Sequence, residues 1–497
     1  MEFDSNSIQT SNTYIMKKLI FCLLGWLVLS PQSTDAFCGF YVARADAKLV
    51  NHQSEVILVR DGQRTVITMS SDFQGDVKDF AMVVPVPVVL KEKDIRIANQ
   101  LLFDRLEAYS GPRIVEYYDQ NPCYADRHYS ALPSMSMSRA ETLDMVIMEN
   151  AEELGVTIEA SYTIGEYDIL ILSAKESTGL KTWLVQNGYQ IPKQAEEVLD
   201  PYIRNNLKFF VVKVNLEEME ALGFQNLRPI QMEFESDRFM LPLRLGMANA
   251  EHAQDMVVYA FTRSGRIEAT NYRTVKVPTN RDIPLFVQQD FGRFYKDVFD
   301  RSYEREQRKA VFLEYAWDVS PRANMKCDPC VTDPPVLADF KEAGADWVSG
   351  YGPDSDVFFT RLRVRYTRDK FPQDLLFQVT PNRENFQARY VTRHPAKGDL
   401  SCAEGGRYIN DLTRRRQKEV DELASLAGWR SADYNNYIYE FMPQEWIPNF
   451  RERRNEVLPL WLKERFPNAP HWLLAIAAIV GLLAMGVIAK RFLKPTA

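Results

Sequence analysis

Hydrophobic positions along the chain change period several times, and each change predicts an element. Glu55–Arg60 (EVILVR) and Thr65–Met69 (TVITM) flank Asp61-Gly62-Gln63-Arg64, a turn signal that predicts a β-hairpin. Phe80–Leu90 is an unbroken apolar run interrupted by Pro85 and Pro87. Proline cannot donate to a ladder, so this reads as a buried strand running into an edge or polyproline-like segment. Plain core packing competes there with a peptide-binding edge. Val156, Ile158, Ala160 and Tyr162 alternate with Thr157, Glu159 and Ser161, and Tyr167–Leu172 follows across Gly165-Glu166, which predicts a second strand pair. Lys208–Val214, Ile230–Phe234, Phe239–Leu245 and Met256–Phe261 also read as strands.

Helical spacing is expected over Asn99–Tyr109, Gly179–Gly188, Lys193–Asn206 and Asp290–Tyr315. Asn121–Arg139 has no apolar period and reads as a surface loop. Further on, Val357–Tyr366, Leu375–Thr380 and Phe386–Arg393 predict strands, followed by a helix near Leu412–Ala427. Strands and helices mix without a regular βαβ alternation. The expected class is α+β, with mostly antiparallel sheets, packed helices and two modules. The modules are 37–280 and 336–433, joined by a helix and hinge over 281–335 that ends in Asp333-Pro334-Pro335.

The ends carry a different pattern. Trp472–Ala489 holds no charged or amide side chain over 18 residues, about 27 Å as a helix. That length matches the hydrocarbon core of a bilayer, and a core helix would show a polar stripe. A transmembrane helix is expected over 471–489, behind an aromatic and basic juxtamembrane stem over 434–470. Lys490, Arg491 and Lys494 follow the span, which puts the tail 490–497 in the cytoplasm. At the other end Met16-Lys17-Lys18 precedes the apolar run Leu19–Leu29, and Thr34-Asp35-Ala36 suits a signal peptidase. Residues 1–36 are therefore expected to be a signal peptide with an upstream-start extension. Both ends agree on a single-pass cell-membrane protein with an extracytoplasmic body, periplasmic in a two-membrane envelope.

Composition refines this picture in two places. A formal net charge of −7 over 497 residues argues against nucleic acid as a partner. Of six cysteines, Cys22 leaves with the leader, and Cys38, Cys123, Cys327, Cys330 and Cys402 remain. Export makes disulfides the default and leaves one thiol over. The expected pairing is Cys38–Cys123, with Cys327, Cys330 and Cys402 sharing the second bridge.

Two stretches suggest chemistry. Arg361, Arg363 and Arg365 alternate with Leu362, Val364 and Tyr366, so their guanidinium groups emerge on one strand face. If Phe386–Arg393 pairs alongside, Arg389 and Arg393 join them. Such forks suit a phosphate, a uronic acid or an acidic partner. The competing reading is a solvated face balanced by Asp369, Asp374 and Glu384. Cys327-Asp328-Pro329-Cys330 suits disulfide exchange in principle. However, Val-Thr-Asp-Pro-Pro after it is a poor helix start, so a structural disulfide is expected. No metalloprotease, nucleophile-elbow, Walker or dinucleotide signature occurs, and the five histidines are scattered. No catalytic residue, cofactor or metal is assigned.

Several ordered phrases are shared with a known group: Phe37-Cys38-Gly39-Phe40-Tyr41-Val42, the Asp79–Val88 run, Gly165-Glu166-Tyr167-Asp168, the Cys327–Cys330 motif, Thr360–Tyr366 and Phe386–Val391. From Phe37 to about Trp429 the chain resembles the bacterial domain of unknown function 2330 family. The resemblance implies an exported, membrane-tethered protein and supplies no catalytic residues. The expected role is a non-enzymatic extracytoplasmic binding or envelope-assembly module. Its partners would be the membrane, other envelope proteins, or an anionic glycan or lipid. The alternatives are a thiol-disulfide oxidoreductase using Cys327 and Cys330, or an envelope hydrolase.

Overall fold

The computed structural model describes residues 40–41, 50–51, 54–70, 73–74, 81–124, 155–187, 195–222, 227–248 and 253–440. The leader, Cys38, most of the 121–139 loop, the stem beyond 440 and the 471–489 span lie outside them. Among the described residues no helix is long and apolar enough to cross a membrane.

These residues fall into two compact units. The first takes the chain up to 116, then 155–392 and 426–428; the second takes 117–124, 393–425 and 429–440. The first unit is mixed α and β, with several antiparallel sheets. Its largest sheet has nine strands, centred on the hairpin Ser54–Asp61 and Arg64–Ser70, whose turn holds Gly62 at φ 60°. Only a residue without Cβ adopts that angle freely, which explains the glycine. Ser54–Asp61 pairs in parallel with Gln254–Thr262, which pairs antiparallel with Phe358–Tyr366, and that strand with Ala310–Asp318. Sheet partners thus lie on either side of the 281–335 stretch read as a hinge. Parallel pairings recur at Arg273–Lys276 with Ala310–Leu313 and at Arg281–Asp282 with Tyr390–Val391.

A five-stranded sheet faces the first across a shared core of apolar side chains that includes Val56, Leu58, Met82, Val84, Ile169 and Phe210. Its strands include Ala81–Val86, Val156–Ile164, Tyr167–Ala174 and Lys208–Val214. Helix Gln100–Ser110, capped by the Asn99 side chain at Leu101 N, buries Leu102, Phe103, Leu106 and Tyr109 against the outer face of the large sheet. Helices Ser177–Gln186 and Ala195–Arg204 cover the outer face of the smaller one.

The structure corrects several sequence expectations. Asp290–Tyr315 is not one helix: Phe291–Arg305 is helical, Gln307 and Arg308 turn the chain at φ 57° and 62°, and Ala310–Asp318 is a strand. Every residue from Ala310 to Ala316 is buried, and a run buried on both faces has no period to separate strand from helix. Phe239–Leu245 keeps only Met240–Leu241 in strand. The helix predicted from Leu412 starts at Ala403. By contrast Ala81–Val86 is the buried strand that core packing predicts: it runs between Lys208–Val214 and Phe40–Tyr41, so Met82 and Val83 are not an open edge for a peptide. Lastly, Phe386–Gln387 pairs with Tyr315 and Ala316 rather than with the arginine strand.

In the second unit, Cys123 and Cys402 form a disulfide. Asp119 accepts from Arg415 and from the Tyr408 hydroxyl, while buried Arg416 donates to Tyr437 O and lies over the Tyr437 ring.

Candidate functional site

The three strand arginines do share one face, but the face is not solvated. Arg361 is 3% exposed. Its Nε donates to Glu314 at 2.7 Å, and its Nη1 donates to Glu107 from helix Gln100–Ser110. Glu314 owes its position to a bulge: Leu313 pairs with Leu362 and Tyr315 with Arg361, leaving Glu314 as the extra residue. A bulge turns a side chain that regular alternation would send elsewhere. The second oxygen of Glu314 accepts from the Tyr295 hydroxyl.

Asp255 serves the other two arginines. It opposes Arg365 in the ladder, and Arg365 grips it through two bonds of 2.6 Å while Arg363 adds one of 2.9 Å. Asp300 accepts from the remaining Nη1 of Arg365. Helix Phe291–Arg305 brings Tyr295, Phe299 and Tyr303 to this face at four-residue spacing, one stripe of a helix. The Arg363 guanidinium lies 4.1 Å from the Phe299 centroid and that of Arg365 5.0 Å, so aromatic surface completes the enclosure.

Protons are unevenly shared here. The Tyr259 hydroxyl lies 2.8 Å from Glu55 and 2.7 Å from Glu107. One hydroxyl hydrogen lies between two carboxyl groups, so the two compete for it. Burial pushes the Glu55 carboxyl up, against the pull of the Tyr259 hydrogen bond. Burial also opposes ionisation of Glu107, but the Arg361 guanidinium outweighs it and holds that carboxyl down. Of the two, Glu55 is the carboxyl that holds a proton more tightly. The same balance holds Asp255 down, burial being outweighed by Arg365 and Arg363.

The candidate anion grip is thus turned inward: Arg361, Arg363 and Arg365 serve carboxylates of their own chain. Their partners are Glu107, Glu314, Asp255 and Asp300, not Asp369, Asp374 and Glu384. Asp374 instead accepts from Arg244, and Glu384 from Lys276. Arg389 donates to Asn280 at 2.6 Å and to Asp328 O at 2.7 Å. Arg393, in the second unit, lies over the Tyr117 ring. Sequence reasoning missed Glu314, although a lone carboxylate inside Ala310–Trp317 is a readable signal: a charge in a strand buried on both faces requires a cation.

The cysteines also depart from the expected pairing. Cys123 joins Cys402, and Cys327 joins Cys330. Spacing along the chain carries no information on a pairing 279 residues apart. Cys38 lies outside the described residues. The Cys327–Cys330 loop is anchored from behind, Tyr109 and Tyr315 both donating to Lys326 O at 2.7 and 2.6 Å. Cys327 is buried and Cys330 exposed.

Two clefts open on the first unit. One of about 520 Å³ is wide and polar, between Arg273, Glu306, Lys309 and Lys370. Another of about 150 Å³ lies beside the Cys327–Cys330 loop, between Trp317, Asp328, Gln387 and Arg389. No group of three or more His, Cys, Asp or Glu among the described residues could hold a metal.

A family model described as "Uncharacterized protein conserved in bacteria (DUF2330)" matches residues 32–378, more than half of the chain. The chain belongs to this family. The DUF2330 match takes in the arginine strand and the Cys327–Cys330 loop and ends before Arg389, Arg393 and Cys402. No curated protein matches the chain. Two solved structures are similar to it over part of its length, both of a mutated baculovirus P35 after caspase cleavage. One is 8% identical, covering 66% of this chain and 99% of that one, with a TM-score of 0.24. The other is 9% identical, covering 67% and 99%, also at 0.24. A shared fold is not indicated at that level.

Proposed function

We propose that this DUF2330 protein is a membrane-anchored, extracytoplasmic module that binds or assembles envelope components and has no catalysis of its own. The observation that carries the reading is the disulfide between Cys123 and Cys402. Such bonds persist in oxidising compartments and are rare in the cytoplasm. The apolar span at 471–489 and the basic residues after it supply the anchor and its orientation. Inward pairing of the arginine row supports a structural use of those charges.

Thiol alkylation in intact cells tests the reading. Cys123, Cys327, Cys330 and Cys402 should resist a maleimide until reductant is added, and truncation after Pro470 should release the body from washed membranes. Labelling of all four without reductant, or a truncated chain that stays with the membrane, overturns it.

One observation favours thiol-disulfide exchange as a second reading: Cys330 is exposed while its partner is buried, so an incoming thiolate has a sulfur to attack. Equilibration against glutathione separates the two. A potential below about −300 mV belongs to a structural bond, and a clearly higher one to an exchanging pair.

A further inference from the structure

The small cleft beside the Cys327–Cys330 loop is held in shape by a network of named contacts. Asn280 holds a left-handed backbone at φ 55°, which asparagine tolerates better than most residues. That conformation lets Asn280 N donate to Arg389 O at 2.8 Å while its side-chain oxygen accepts from Arg389 Nε at 2.6 Å. Asp328 fixes Nη1 through its backbone oxygen at 2.7 Å and its carboxylate at 2.9 Å. Among the described residues Nη2 of Arg389 has no hydrogen-bond or ion-pair partner. Gln387 is 5% exposed, and its Oε1 accepts from Asp328 N at 3.3 Å. That contact sets the amide orientation and leaves Nε2 as a buried donor without a partner. Native structures seldom leave such a donor unmet.

The free edge of the Arg389 guanidinium and the Gln387 side chain, with Asp328 beside them, therefore line a cleft of about 150 Å³ walled by Trp317 and Phe386. That is well under the roughly 300 Å³ at which drug-sized pockets begin, so one ring is the natural limit. A guanidinium edge suits a carboxylate. An indole wall suits the flat apolar face of a ring, and the amides of Asn280 and Asn385 suit hydroxyl groups. We propose that the cleft between Trp317 and Arg389 binds a single sugar ring bearing a carboxylate, a uronate unit of an envelope or exogenous glycan. This names a ligand class for the binding role above and rests on it.

Titration calorimetry on the purified full-length protein, in a detergent without a sugar headgroup, tests the assignment with glucuronate, glucose and acetate. Glucuronate should give saturable heat, with glucose and acetate at least tenfold weaker. Arg389→Gln and Asn385→Ala should each weaken glucuronate by tenfold or more, and Asn385→Ala should do so without moving the unfolding midpoint. Asn385 is exposed, so its variant decides the matter if Arg389→Gln fails to fold. Absence of saturable heat at millimolar glucuronate, equal binding of glucose or acetate, or an unaffected Asn385→Ala overturns the proposal. The alkylation pattern, read on the same preparations, reports separately whether the oxidised extracytoplasmic body stands.

Discussion

Arg361 donates to Glu314 across 2.7 Å, and neither side chain meets solvent to any useful extent. Removing one member of such a pair strands the other charge at low dielectric, at a cost of about 3–5 kcal/mol. Glu314→Ala leaves Arg361 only its bond to Glu107 and should lower stability by up to about that much in urea unfolding. Adding Arg361→Met should cost less than the sum of the two single changes, because the stranded charge is gone. Additive losses would show that the pair does not act as a unit.

Glu55 should make the protein sensitive to rising pH. Its folded carboxyl titrates above the ordinary 4.5, so the folded state binds the proton more tightly than the unfolded one. The resulting stabilisation is complete below 4.5 and lost as pH climbs through the folded value. Glu55→Gln keeps the hydrogen bond to Tyr259 and cannot ionise. Relative to the parent its melting temperature should therefore improve as pH climbs from 4.5 through the folded value and level off above it, and a constant difference would contradict this.

Asp255 should act at the other end of the scale. Its carboxyl is held below the ordinary 3.8, so its contribution is present above that value and lost as pH falls through the lower, folded one. Asp255→Asn should be less stable than the parent at pH 7 and should lose less on acidification. Parallel acid limbs for the two proteins would remove Asp255 from the account.

The two disulfides should differ in worth. Cys123 and Cys402 are 279 residues apart, whereas Cys327 and Cys330 are separated by 3. Chain-entropy arguments give the long closure up to about 5 kcal/mol and the short one much less. Cys402→Ser should shift the denaturation midpoint more than Cys327→Ser combined with Cys330→Ser, and the ranking should vanish in reductant.

Local pattern was enough to place most elements. The 54–70 hairpin, the strand pair around Gly165 and the helix after Asn99 were legible because each has its own period and its own turn or cap. The strand Ala310–Asp318 was not, since a doubly buried run looks alike in either conformation. Alternation correctly put Arg361, Arg363 and Arg365 on one face. Whether that face met water depended on Tyr295, Phe299 and Asp300, more than 60 residues away, and on a bulge that no repeat announces.

What the sequence determined by itself is therefore whatever neighbours along the chain decide: strand and helix periods, turn glycines, the apolar stretch at 472–489 and family membership. Tertiary structure alone decided which carboxylate meets which guanidinium, which cysteine meets which, and that Arg389 lines a cleft while the arginine row meets carboxylates of its own chain. Those pairings join residues tens to hundreds of positions apart. The free energy of a buried charge depends on what surrounds it in space, which is a property of the packed chain and not of any stretch of it.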